Sequence, residues 1–421
     1  MSATEAPAGG SAAEVLDRCT ELDTISARPD GLERAHLTPE HARANRLVGR
    51  WMERAGLRTW VDAAGNLWGR REGREPGLPA LVLGSHLDTV PDAGSYDGML
   101  GVVMAVAVVE RLGDRVADLP FALEVVGFTD EEGTRFGKAL LGSQAVAGLW
   151  DEDWWDLRDR DGTTLLQAFE DFGLDPRRVG EAARRSEELV GYLEAHIEQG
   201  PYLEAADASL GYVTTIAGAR RFHLAVHGEA RHAGGTPYSR RKDALVGAAE
   251  AITTIERMAR ESDCIATVGR IEVRPGGVNV IPGRTDLSLD LRAATDPERD
   301  AMWEAMHAEV TALCERRGLT FTASENHRAA AAPCAAWLQQ AVVAGIGVTG
   351  DHAPMGLWSR AGHDAMAMAE ITDIGMLFLR CFDGISHHPA EDVRAVDVER
   401  GLDAFEATVL EVADAVRGRE G

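Results

Sequence analysis

Two adjacent carboxylates, Glu131 and Glu132, follow the apolar run Phe121 to Phe128 in the string FTDEEG. Inside a strand, neighbouring side chains point to opposite faces, so such a pair serves no single site there. At a strand end, where the backbone turns, both can aim into one site. One can then hold a metal while the other works as a general base. An isolated Glu-Glu pair is usually a solvated acidic turn, but this one has company. His86, Asp88, Asp97, His196 and His387 fall at comparable strand ends. In LGSHLDT, Asp88 follows His86 by two residues, so its carboxylate could accept the spare ring N–H and fix the tautomer. In GSYDGMLG, Asp97 could cap a helix or bridge two ions through its two oxygens. Glu132, His196 (EAHIEQGP) and His387 (GISHHPAE) add further oxygen and nitrogen donors. A donor set of imidazoles and carboxylates without cysteine suits zinc, manganese or cobalt. Glu131, left free of metal, can take the proton of an activated water and hand it to a leaving nitrogen.

These residues need elements that place them. Helices are expected at Ala12–Ile25 and Pro39–Ala55, the latter with Thr38 as cap, Pro39 at its first position and Gly56 as its stop. Strands are expected at Arg58–Asp62, Leu67–Arg71, Ala80–Ser85, Phe121–Phe128 and Leu189–Leu193, with helices at Gly98–Leu112 and Leu140–Ala147. Alternating strands and helices imply an α/β domain with a mainly parallel sheet, whose ligands gather beyond the carboxyl ends of its strands. From about Gly211 the pattern becomes β-α-β-β-α-β, the split arrangement of ferredoxin-like domains. Its parts are Arg221–His227, Asp243–Arg260, Thr267–Val273, Asp286–Ala293, Pro297–Arg317 and Leu319–Ser324. After His327 the α/β pattern resumes with a helix at Ala335–Val343, a strand at Gly375–Leu379 and a helix at Val396–Val416. The expected division is a disordered stretch at 1–11, catalytic parts at 12–212 and 329–421, and an inserted α+β domain at 213–328.

Composition narrows the classes. The chain has 421 residues, more than one core usually supports, and a net charge of −25, which argues against nucleic acid as partner. The N-terminus lacks a basic region followed by an apolar core, and the longest apolar stretch is shorter than a membrane span. Five scattered cysteines without CxxC spacing fit free thiols in the cytoplasm.

The strings GSHLDT, YDGMLGV, DEEGTRFG, EAHIEQGPYLE, HAGGTP, GGVNVIPG, AGHDAMAMA and GISHHPAE, in this order, resemble the dinuclear-metal amidohydrolases that cleave N-carbamoyl compounds. That family includes allantoate amidohydrolase, N-carbamoyl-L-amino acid hydrolase and β-ureidopropionase, relatives of aminoacylases and metallopeptidases. The resemblance runs from about Ala12 to Val416. It implies a metallopeptidase-like catalytic domain with an inserted ferredoxin-like domain serving as lid and dimerisation module. It implies two divalent ions, manganese or zinc, on His86, Asp97, Glu132, His196 and His387, with Asp97 bridging. Glu131 becomes the general base and Asp88 the orienting residue; the pattern Ser-His-any-Pro selects His387 over His388.

On the inserted domain, the resemblance makes His232 the donor to the oxyanion, reaching across a homodimer. Asn279 and Arg292 grip the substrate carboxylate, aided by the backbone near Gly362, and Gln199 reads the ureido group. The implied substrate is a small ureido or N-carbamoyl carboxylate, hydrolysed to ammonia and carbon dioxide. Allantoate, from purine breakdown, is the first expectation; N-carbamoyl-L-amino acids or N-carbamoyl-β-alanine come second. A peptidase or aminoacylase, or a non-catalytic scaffold on the same fold, ranks lower. The chain departs from the family pattern at Arg360, where glycine is usual, and at Gly235 and Tyr238, where threonine and methionine are common. Those departures bear on substrate selectivity.

Overall fold

The computed structural model describes residues 10–420. The chain forms two compact units. One comprises Met1–Thr214, Pro333–Leu357 and His363–Gly421; the other comprises Thr215–Ala332 and Trp358–Gly362.

The first unit is built on a nine-stranded sheet. Its middle four strands are Ala122–Phe128, Ala80–His86, Leu189–Ile197 and Ile374–Leu379, in that spatial order and all parallel. Antiparallel strands flank them: Leu67–Arg71 and Arg58–Val61 on one side, Leu210–Ile216 on the other. The sheet is therefore mixed, a correction to the mainly parallel sheet expected. Alternation of strand and helix signals parallel pairing only where a helix crosses over. Arg58–Val61 and Leu67–Arg71 form a hairpin and must run antiparallel.

The parallel strands are buried along nearly their whole length, as sheets covered on both faces require. The helix Met99–Leu112 is apolar on all sides as far as Val109 because that stretch is buried on all sides; it shares a core with Leu81, Leu83, Leu193 and Ala195. Each valine or leucine it buries stabilises the fold by about 1.5–3 kcal/mol. Its N-terminus, after Gly98, has no side-chain cap, which leaves the preceding Asp97 free for other work. The first helix, Ala12–Asp23, starts with a capping box between Ser11 and Glu14. Ser11 thus belongs to a helix cap rather than to the disordered stretch expected at 1–11; residues 1–9 lie outside the described part. Among the described residues, no helix is long and apolar enough to cross a membrane.

Residues 148–188 show no sustained helix or strand period in the sequence. They form short 3-10 turns and the helix Leu165–Phe172; Leu165, Ala168, Phe169 and Val179 are buried there, and the half-buried Trp150, Trp154 and Trp155 pack against them.

In the second unit, Ile271–Arg274, Arg284–Ala293, Gly218–His227 and Thr320–Ala329 lie side by side in that order, each pair antiparallel. Helices Ala244–Arg260 and Asp296–Arg316 cover this sheet through Phe222, Leu224, Val226, Leu287, Leu289 and Leu291. These alternate along their strands, so each strand buries one face. Phe222 stacks on Trp303 with ring centroids 3.6 Å apart. A separate two-stranded ribbon pairs Arg231–His232 with Val280–Ile281.

Candidate metal and active site

Asp97 is the hub of the first unit's polar centre. It is buried, and its Oδ1 lies 3.2 Å from His196 Nε2 and 3.5 Å from His86 Nε2. Its Oδ2 lies 3.1 Å from His387 Nε2, which is itself 3.4 Å from Glu132 Oε1. Two donor sets therefore meet at one carboxylate: His86, Asp97 and His196, and Asp97, Glu132 and His387. A third set, His86 with Glu131 and Glu132, places the expected base beside them. His388 stays out of these sets; its Nδ1 accepts the Ala390 N–H at 3.0 Å.

Ring orientation fits a metal. His86 Nδ1–H donates to the Asp88 carbonyl at 3.0 Å, and His196 Nδ1–H to the Ile197 carbonyl at 2.9 Å. A neutral imidazole that donates from Nδ1 presents a lone pair at Nε2. Both Nε2 atoms face Asp97, and that of His196 is buried without a hydrogen-bond partner. An orphaned imidazole nitrogen beside carboxylates could serve as a cation ligand. Gly98, at φ 72°, makes this approach possible: a Cβ there would lie 2.4 Å from the His86 ring.

The Asp88 carboxylate was expected on the His86 ring N–H. Its nearest oxygen is 3.7 Å from Nδ1, and the backbone carbonyl of the same residue takes that proton instead. The carboxylate accepts the backbone N–H groups of Glu131 at 3.1 Å and Glu132 at 3.2 Å. It thereby holds the turn that carries both acids. Arg34, buried and missed in the sequence, pins the segment before it by donating to the carbonyls of Leu87, Leu22 and Ile25.

The electrostatics describe a centre short of positive charge. Burial, then the charges of neighbouring acids, pushes the Glu131 carboxyl well above its usual range. Burial and the Asp97 charge raise Glu132 to about 7. Burial opposes the charge on Asp97 too, yet the imidazoles of His196, His387 and His86 facing it together hold it well below the usual value. The Asp97 hydrogen bond lifts His387 to about 9. A bound cation reverses this balance by stabilising every carboxylate around it.

Gln199, at φ 55°, donates its amide N–H groups to Asp97 Oδ2 at 2.8 Å and Ser386 Oγ at 3.1 Å. Its carbonyl oxygen is buried and unpartnered. Its neighbour Glu198 accepts the backbone N–H groups of Tyr202 and Leu203.

Three further residues, not among those expected from the sequence, support the centre. Glu194 accepts the Ser85 hydroxyl at 2.6 Å, and His363 packs edge-on against His196 with centroids 4.5 Å apart. Burial keeps His363 uncharged. The third is Glu391, whose Oε1 accepts the N–H groups of Tyr96 and Asp97. Its signal was present: it closes the string GISHHPAE, four residues after His387.

The second unit holds the remaining candidates. His232 Nδ1 accepts the Gly235 N–H at 3.0 Å, so Nε2 carries the ring proton and is an outward donor. The ribbon sets Asn279 beside it, with the Asn279 carbonyl accepting the Ala233 N–H at 2.9 Å. Arg292 pairs with Asp290 at 2.7 Å and donates to the Arg360 carbonyl at 2.6 Å, which ties it to the loop carrying Gly362. The Arg360 guanidinium lies over the Trp358 ring, 4.3 Å from its centroid. Tyr238 is exposed, with the Arg241 guanidinium over its ring.

Over nearly its whole length the chain is similar to known amidohydrolases. An N-carbamoyl-L-amino acid amidohydrolase from Geobacillus stearothermophilus is 39% identical over 94% of this chain and 97% of its own length. An allantoate deiminase from Arabidopsis thaliana is 37% identical, covering 91% and 79%. A crystal structure of a hydantoinase/carbamoylase-family amidase from Burkholderia multivorans superposes with a TM-score of 0.88 at 32% identity, covering 96% and 98%. Fold and site together define a metal-dependent amidohydrolase, an enzyme that hydrolyses carbon–nitrogen bonds other than peptide bonds. The chain belongs to peptidase family M20/M25/M40, whose model matches residues 82–411.

Proposed function

We propose that this enzyme hydrolyses a ureido or N-carbamoyl bond of a small carboxylate, releasing ammonia and carbon dioxide. The observation that carries the reading is the Asp97 carboxylate, shared between two donor sets with Glu131 beside them. His86, Asp97 and His196 would hold one divalent ion, and Asp97, Glu132 and His387 a second, zinc or manganese by the character of the donors. When bound, the ions supply Lewis-acid polarisation and lower the pKa of water. Glu131 takes the proton of the attacking water and returns it to the leaving nitrogen. Asp88 keeps Glu131 and Glu132 aimed by gripping their backbone. Gln199 pairs with the ureido group through its amide. His232, protonated at Nε2, donates to the developing oxyanion, a role worth about 3–4 kcal/mol in other hydrolases. Arg292, Asn279 and the backbone at Gly362 hold the substrate carboxylate, Arg292 through its planar fork.

The inserted unit serves as lid and dimerisation module in this reading, with His232 acting across a homodimer. The five cysteines are all free, which supports a reducing cytoplasm as the place of work. Allantoate is the proposed substrate, supported by the motifs quoted above and by the Arabidopsis deiminase. The Geobacillus relative favours N-carbamoyl-L-amino acids as the second reading. An ammonia-release assay with added manganese or zinc separates them, comparing allantoate, N-carbamoyl-β-alanine and several N-carbamoyl-L-amino acids. Inert allantoate beside brisk turnover of a carbamoyl amino acid excludes the first choice; no ammonia from any of them excludes the reaction class.

A further inference from the structure

Glu391 is buried, and every oxygen contact described for it is with an uncharged donor. Its Oε1 accepts the N–H of Tyr96 at 2.8 Å and that of Asp97 at 3.1 Å. Its Oε2 lies 3.1 Å from the hydroxyl of Ser386, the residue before His387. Room has been made for it: a Cβ on Gly94 would lie 2.4 Å from the Glu391 carboxyl carbon. One carboxylate thus joins the loop that carries Asp97 to the turn that carries His387.

Ser386 explains why this joint matters to the site. Its hydroxyl has a single proton and two carboxylates within reach, Asp97 Oδ2 at 2.7 Å and Glu391 Oε2 at 3.1 Å. If Asp97 Oδ2 serves a cation, its lone pairs are engaged, and Ser386 needs another acceptor. Glu391 Oε2 is that acceptor. His387 depends on this anchor more than the other donors, since its side chain is 48% exposed and its backbone sits at φ 55°, a region costly for non-glycine residues.

We propose that Glu391 is a positioning residue that makes the donor set Asp97, Glu132 and His387 competent for its metal ion, by fixing the Asp97 backbone and accepting the Ser386 hydroxyl. The inference rests on the metal-binding reading above. It does not make Glu391 a ligand or a catalytic residue.

The two replacements of Glu391 separate its contacts. Glu391→Gln keeps a carbonyl oxygen for the two backbone N–H groups but turns a donor toward Ser386. Glu391→Ala removes both contacts. Full-length protein is stripped with chelator and titrated with zinc alone, then with manganese alone, while melting temperature is followed in parallel. The unaltered protein is expected to take up two equivalents. Glu391→Ala is expected to bind the second equivalent 10–100-fold more weakly, the range seen when residues supporting metal ligands are lost, and to bind the first nearly unchanged. Glu391→Gln falls between them. A folded Glu391→Ala that takes up both equivalents with unaltered affinity overturns the proposal. If Glu391→Ala does not fold, Ser386→Ala carries the test: a weakened second equivalent supports the proposal, and unaltered binding overturns it. Unaltered protein that binds neither metal overturns the functional reading itself, a result distinct from two equivalents bound equally by all variants.

Discussion

The Asp88 carboxylate lies against the backbone of Glu131 and accepts its N–H at 3.1 Å. Its second oxygen takes the next N–H, that of Glu132, at 3.2 Å. A buried carboxylate bound to two successive amides fixes the direction of a turn, and this turn carries both Glu131 and Glu132. Asp88 thus acts on the acids through its side chain and on His86 through its backbone carbonyl.

Replacement of Asp88 by Asn separates the two roles. An amide offers one acceptor oxygen and turns an NH₂ toward the other backbone N–H. Leaving that buried donor unsatisfied costs about 1–3 kcal/mol. Denaturant unfolding should show a loss of that size, and kcat should fall about 100-fold or more as Glu131 loses its aim. The carbonyl contact to His86 survives the change, so metal content should hold. Loss of metal without loss of stability would contradict the assignment.

Glu131→Gln tests the proton path. The side chain keeps its shape and loses its basicity, so kcat should drop at least 100–10,000-fold, the range for a general base. Elemental analysis should find the metal content of the unaltered protein. Appreciable ammonia release by this variant would show that another group moves the proton.

Gly98→Ala should disable the centre from beneath. The new Cβ meets the His86 ring at 2.4 Å, and the backbone at φ 72° disfavours any side chain. The expected outcome is loss of the metal bound by His86, with the helix Met99–Leu112 still formed by circular dichroism. A variant with full metal content would mean that the ring has more freedom than these contacts allow.

The metal-free centre should weaken as pH rises. His387 is lifted from 6.5 to about 9 by Asp97, and Glu132 from 4.5 to about 7 by burial. Both hold protons more tightly in the folded chain than in the unfolded one. The His387 contribution is complete below pH 6.5 and is lost as pH passes 9. The Glu132 contribution declines between pH 4.5 and 7, so the two have the same sign. The melting temperature of chelator-treated protein should fall from pH 5 to pH 9. Metal must displace these same protons, so zinc affinity should climb over pH 6 to 9 with proton uptake by the buffer, as calorimetry in two buffers can show. An affinity independent of pH would count against both groups as ligands.

Much of this site can be read along the chain because its donors are announced locally. His86 ends an apolar run, Asp97 sits between Ser95–Tyr96 and a glycine, and Glu131–Glu132 follow Phe128. Residue type and strand-end position suffice to group them. What the sequence hides is partnership at a distance. Nothing near Asp88 says that its oxygens serve amides 43 and 44 positions later. Glu391 reads as a surface acid in a polar loop until the fold brings it under Tyr96 and Asp97. Strand direction is hidden for a similar reason. Periodicity reports which face is buried, not which way the neighbour runs, so the antiparallel flanks of the large sheet were missed. The region 148–188 gives little periodic signal because much of it is 3-10 turns, which carry no regular period.

Asp97 and Ser386 share a hydrogen bond across 289 positions of sequence. A growing chain on the ribosome therefore displays His86, Asp97, Glu132 and His196 long before the residues that complete the centre emerge. If the two sets hold ions as proposed, His86, Asp97 and His196 can take the first before the turn that carries His387 has docked, whereas Asp97, Glu132 and His387 cannot take the second. Uptake of the second ion would then report that the end of the chain has been made and folded.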